Sequence, residues 1–129
     1  MTTYLTKEQI LSIHGWSITA FGGTVGVLHE AIVDSAVAAP QMTFGQTELY
    51  QSLAAKASAL AYPLIHDHPF RDGNKRTGFV AADVFISLNG HQLVSSVEDA
   101  EEIVVKVAAG DATREDLQRW IETRLVPNP

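Results

Sequence analysis

The chain has 129 residues, 46% hydrophobic and 19% charged, with a net charge of −6 and no cysteine. That length fits one domain, residues 1–129, with a core of its own, and the composition is globular rather than disordered. Disulfides and thiolate metal sites are excluded, and a net negative chain lacks the broad basic face that nucleic-acid binding requires.

The pattern is helical almost throughout. Thr6 with Gln9 forms a capping box, and Ile10, Ile13, Ser17 and Phe21 recur at helical spacing until Gly22-Gly23 stops the helix. The stretch TVGVLHE reads as extended, either a loop or a small hairpin, and EAIVDSAV as a short helix ending near Pro40. QTELYQSLAAKASALAYPLI reads as one long alanine-rich helix. Pro63 should kink or end it, because proline lacks the donor and crowds the preceding turn. NKRTGFVAADVFISLN is apolar almost all round and closed by Gly90, which marks a central buried helix. Ser96 with Asp99 opens a helix carrying Val97, Ala100, Ile103, Val104 and Val107, and Gly110 ends it. Thr113 opens the last helix, with Leu117, Trp120, Ile121 and Leu125 on one face. Strand signals are confined to TVGVL and HQLVS. The expected fold is therefore all-α, a compact bundle of about six helices around a central buried one.

The most apolar run, FVAADVFISL, is short and carries Asp83, so no membrane span is expected. The first residues, with Lys7, Glu8 and His14, hold no apolar stretch of signal-peptide length. A cytoplasmic protein with no membrane or nucleic-acid partner is the expectation by elimination.

The segment HDHPFRDGNKRTG, residues 66–78, is far more polar than its surroundings. Gly73 falls where the apolar helix begins. The first N–H groups of a helix have no internal acceptor, and the macrodipole adds partial positive charge there. The N–H groups from Gly73 through Arg76 can converge on an anion, with Gly73 allowing close approach. Lys75 and Arg76 add full charges, and Asn74 adds a neutral donor and acceptor. His68, with an unperturbed pKa of about 6.5, can take a proton from a hydroxyl near neutral pH. Asp72 is a hard oxygen ligand suited to Mg²⁺ shared with a polyphosphate. Phe70 should pin the loop into the core. Phosphoryl transfer demands little beyond such positioning and charge stabilisation.

Plainer readings compete. His66 and His68 with Asp67 or Asp72 could form a zinc site, which the neighbouring cations disfavour. GNKR alone is most simply a charged helix start, but such a start needs neither His68 nor Asp72. His14, His29 and His91 are expected on a helix face, the flap surface and a loop respectively. Trp16 and Trp120 are expected in the core or at a partner contact. Asp83, if buried, needs a basic or amide partner.

The run HPFRDGNKRT resembles the Fic/Doc motif, His-x-Phe-x-(Asp/Glu)-(Gly/Ala)-Asn-(Gly/Lys)-Arg. The upstream stretch FGGTVGVLHEAIVDSAVAAPQMTFGQTELY is similar to the region of that family that contains a substrate-docking flap. The resemblance implies His68 as general base on a target protein's hydroxyl and Asp72 as the magnesium ligand. It implies Gly73, Asn74, Lys75 and Arg76 as binders of ATP phosphates. The flap, about residues 22–29 and centred on Thr24, Val25, Gly26, Val27 and Leu28, would align an extended peptide through backbone hydrogen bonds. Lys75 and Phe79 stand where AMP-transferring members carry glycine and a second arginine. Both match the Doc (death-on-curing) branch, which implies transfer of the terminal phosphate to a translation factor, elongation factor Tu, and arrest of translation. AMP transfer to a protein hydroxyl, or a binding module without turnover, are the alternatives. Leu28-His29 replaces the Arg-Asp of Doc-like relatives, which bears on target choice or on a helix cap. No serine or threonine lies four residues before any glutamate, so the family's built-in inhibitory signature is missing. Restraint is then expected from an antitoxin whose disordered segment folds on binding.

Overall fold

The computed structural model describes all of residues 1–129. Six α-helices account for most of it: α1 (Lys7–Phe21), α2 (Glu30–Ala38), α3 (Leu53–His66), α4 (Asn74–Leu88), α5 (Val97–Ala109) and α6 (Arg114–Glu122). Two small antiparallel pairs accompany them, β1 (Thr43–Phe44) with β2 (Thr47–Glu48), and β3 (His91–Leu93) with β4 (Leu125–Pro127). The expected all-α bundle is present. No helix is long and apolar enough to cross a membrane.

The caps explain most of the boundaries. Thr6 and Gln9 form the anticipated capping box at α1, and Thr113 with Asp116 forms a second one at α6. The Ser96 hydroxyl accepts from the Asp99 N–H, and Gly110 closes α5 in the left-handed conformation that glycine adopts without penalty.

The long helix expected from Gln46 begins only at Leu53, because Ser52 caps it by accepting from the Ala55 N–H. Residues ahead of it turn at Gly45, φ +65°, into the β1–β2 hairpin instead. The buried Lys56 side chain holds this hairpin down, its ammonium on the Tyr50 carbonyl and 3.3 Å from Glu48 Oε2. Pro63 neither ends nor interrupts α3, which runs on to His66 with the Asp67 N–H bonding the Pro63 carbonyl at 3.0 Å. Packing on several sides outweighs the bond that proline forgoes.

The central position belongs to α3, whose buried face includes most of Ala54 through Ile65; α4 lies along it. Although α4 reads as apolar all round, it buries only Thr77, Gly78, Ala81, Ala82, Phe85 and Ile86 and turns Asp83 and Ser87 to solvent. Asp83 is exposed, so the partner that burial would demand is not required and it has no ion pair or hydrogen bond; the desolvation it does undergo raises its pKa. The two helices approach closely at Gly78, where a Cβ would stand 2.4 Å from Ile65 Cγ1 and 3.2 Å from the Ala61 carbonyl oxygen. Ile10, Leu60, Leu64, Phe70 and Phe85 supply the larger side chains of the core cluster to which this seam belongs.

Two expectations fail at the ends of elements. Leu125 does not extend the face of α6; the helix stops at Glu122 and Leu125 pairs with Leu93 in the β3–β4 ladder. His91 begins β3 rather than sitting in a loop. The two tryptophans part company: Trp16 is exposed, its ring edge-on to Phe21 at 5.7 Å, whereas Trp120 is buried in the core.

Candidate functional site

The loop between α3 and α4 is fixed from three directions. Phe70 is buried as anticipated and anchors the loop in the core. Asn74, in the first turn of α4, reaches back and clasps the same residue. Its Oδ1 accepts from the Phe70 N–H at 2.8 Å and its Nδ2 donates to the Phe70 carbonyl at 2.9 Å. The amide expected to face an anion therefore has both ends engaged in shaping the loop. Below them the buried His14 of α1 stacks on the Phe70 ring, centroids 3.9 Å apart and planes 9° apart. Its Nε2 meets the Asp72 carbonyl oxygen at 2.8 Å.

Gly73 caps α4 with φ +79°, and no side chain satisfies the N–H groups of that turn. Those of Gly73, Asn74, Lys75 and Arg76 donate to no acceptor in the chain. Lys75 and Arg76 are exposed beside them, the Arg76 guanidinium 3.9 Å above the Phe21 ring, a cation–π contact that steadies it. Free donors, a helix dipole and two cations make this mouth strongly attractive to an anion. Phe79, one turn on, adds no charge; it meets Trp120 edge-on at 6.1 Å and lines an apolar groove of about 420 Å³ with Val97, Val104 and Val105.

His68 is exposed and is the single non-glycine residue with positive φ, +48°. For an L-residue that conformation costs about 1–2 kcal/mol, and it stands just before Pro69, where extended backbone is the norm. Strain of this kind, held by a buried loop on one side and a helix on the other, is a mark of sites that need a side chain aimed. His66, by contrast, pairs with Asp67 at 2.8 Å and stacks on Tyr62, turned into its own helix end. No group of three or more His, Asp and Glu side chains is placed to hold a metal ion, so the zinc reading finds no ligand set.

The flap forms no hairpin. It pairs with the motif loop itself: Val27 bridges Phe70, the Arg71 N–H bonds the Gly26 carbonyl at 2.9 Å, and Leu28 and His29 both donate to the Pro69 carbonyl. The sequence of TVGVL satisfied the strand signal, but the nearest free edge belongs to residues 69–71. Thr24 adds a bond to Asp72, its N–H on Oδ2 at 2.7 Å. Val25, Val27 and Leu28 remain exposed, and His29 sits at the start of α2 without a side-chain cap.

Residues 4–86 match the Fic/DOC family. The chain belongs to this family. It is 40% identical over 113 residues to "Toxin Doc" of Mycolicibacterium smegmatis, an alignment covering 86% of this chain and 85% of that protein. It is 26% identical over 108 residues to "Protein kinase doc" of Escherichia phage P1, covering 84% of each. Within this Fic/Doc chain the motif residues His68, Phe70, Asp72, Gly73, Asn74, Lys75 and Arg76 are gathered at one helix mouth. His14 lies on a face of α1 as expected, but that face is buried beneath the motif loop, a placement that no motif in the sequence marks. The spacing of His14 with Ser17 and Ile18 on the side of α1 that carries Ile10 was the available signal.

Proposed function

We propose that this chain is a toxin of a toxin–antitoxin pair that moves the terminal phosphate of ATP to a Ser or Thr hydroxyl of a translation factor, elongation factor Tu by resemblance. The observation that carries the reading is the set of unpaired N–H groups at Gly73–Arg76, flanked by two cations and the strained His68. The names of the two relatives support the same direction.

In this reading the donors of Gly73 through Arg76, with Lys75 and Arg76, receive the phosphate oxygens. Asn74 acts one step back, by holding Phe70 and so the loop. His68 accepts the proton of the attacking hydroxyl as its oxygen bonds to the terminal phosphorus and the bond to the leaving ADP oxygen breaks. Asp72 would hold Mg²⁺. Its exposed carboxylate leaves Oδ1 without a partner, a hard oxygen that an ion shared with the phosphates would take. That ion would supply charge neutralisation at the polyphosphate. Phe79, where a second cation would reach farther along a triphosphate, favours a short grip on the terminal group over AMP transfer. The exposed Val25, Val27 and Leu28 of the flap would receive the extended target segment. With no inhibitory signature in the chain, a separate antitoxin with a segment that folds on binding supplies restraint.

The test uses ATP labelled at the α or the γ position, with elongation factor Tu and a lysate fraction as targets. Label from γ, lost in His68→Ala while the helical circular dichroism persists, is the expected result. Label from α establishes AMP transfer instead, and none from either leaves a binding module.

A further inference from the structure

We infer that His14 is a positioning residue for the phosphate mouth, acting through the peptide between Asp72 and Gly73; this rests on the phosphate-binding reading above. A carbonyl oxygen only accepts, so the 2.8 Å contact to the Asp72 oxygen puts the proton on His14 Nε2. Every peptide bond in the chain is trans. In a planar trans peptide the C=O and the next N–H point in opposite directions. By drawing the Asp72 carbonyl inward, the buried imidazole turns the Gly73 N–H outward, into the mouth.

The surroundings permit little else. His14 is 4% exposed and its ring lies flat on Phe70, so it cannot swing away while the loop stays docked. A Cβ on Gly73 would stand 3.3 Å from Ile18 Cδ1 and 3.7 Å from both His14 Cδ2 and Ser17 Oγ. One face of α1, residues 14, 17 and 18, thus forms the floor beneath the loop. Ser17 Oγ is buried there without a hydrogen-bond partner, as is Thr77 Oγ1 on α4. Ser17 is the other side-chain donor of that floor, but its hydroxyl makes no hydrogen bond to the Asp72 carbonyl, so His14 Nε2 alone holds this peptide.

The test is a titration of the ¹⁵N-labelled full chain with magnesium and AMPPNP, following the Gly73 amide resonance. His14→Leu keeps apolar bulk against Phe70 without a donor; His14→Gln places an amide donor near the position of Nε2. The expected result is a parent Gly73 shift that saturates, binding weakened roughly ten-fold in His14→Leu, and recovery of most of that loss in His14→Gln. Equal binding by parent and His14→Leu overturns the proposal, as does a folded His14→Gln no better than His14→Leu. Should His14→Leu fail to fold, His14→Asn, whose amide is too short to reach Asp72, replaces it, and Asn binding as well as Gln is then the overturning result. A parent Gly73 amide that ignores the nucleotide also overturns it. Binding with the expected pattern, but no transfer of label to any protein, overturns the kinase reading and leaves the role of His14 standing.

Discussion

The Thr24 N–H donates to Asp72 Oδ2 at 2.7 Å, tying the flap to the one carboxylate at the mouth of α4 across 48 residues of sequence. The same side chain latches the flap and, in the proposed function, would also hold the cation. The two tasks separate chemically. Asp72→Asn keeps an oxygen for Thr24 but loses the charge, so limited proteolysis of residues 22–26 should match the parent while magnesium no longer strengthens nucleotide binding. Asp72→Ala should lose both, with cleavage in the flap faster than in the parent. Equal cleavage rates in Asp72→Ala and the parent would show that the latch does not restrain the flap.

His68 is held left-handed, and the identity of the side chain should therefore matter to stability as well as to chemistry. Glycine relieves about 1–2 kcal/mol of strain against an entropic cost of up to about 1 kcal/mol, so His68→Gly is expected at or above the parent in urea denaturation. A β-branched His68→Val should fall below it. Both variants should be inactive in label transfer. A His68→Val variant as stable as the parent would mean that the loop does not impose the conformation.

Gly78 sets the distance between α3 and α4, since a methyl there meets Ile65 Cγ1 at 2.4 Å. Alanine is the better helix former by about 1 kcal/mol, yet overpacking of a tight seam costs about 1–3 kcal/mol. Gly78→Ala is expected to lower the urea midpoint, and truncating Ile65 to Ala should reduce the penalty of the added methyl, a coupling readable in a double-mutant cycle. An unchanged or higher midpoint for Gly78→Ala alone would show that the seam yields more easily than its geometry implies.

Asp83 and Asp116 should respond oppositely to pH. Partial desolvation raises the Asp83 pKa, so the folded chain holds its proton more tightly than the unfolded one, and stability is lost as pH rises from the unfolded value through the folded one. Asp83→Asn should thus raise the urea midpoint at pH 7, with the gain vanishing below about pH 4, where the unfolded carboxyl is itself protonated. Asp116 is lowered by the backbone and side-chain hydrogen bonds of Thr113 and by Arg119. Its contribution is present above the unfolded carboxylate value and is lost as pH falls through the lower folded one, so Asp116→Asn should be costly at neutral pH and less so in acid. Midpoints measured from pH 3 to pH 8 check both signs.

The local signals determined a great deal. Capping residues at Thr6, Ser96 and Thr113, glycine at 22, 73 and 110, and apolar spacing within each segment placed most helices, because those features act between neighbours a turn apart. The motif from His68 to Arg76 announced a helix mouth rich in free donors and positive charge for the same reason: a helix start, its dipole and its flanking charges are contiguous in sequence. Tertiary structure decided what contiguity does not reach. TVGVL carried a strand signal without naming a partner, and the edge it found was the motif loop. Asn74 carried a ligand's chemistry, but its side-chain amide is engaged at both ends with the Phe70 backbone. His14 had no motif at all; its place under the Asp72 carbonyl exists only once α1 crosses α4, because a buried hydrogen bond between residues 58 apart is set by packing rather than by local preference.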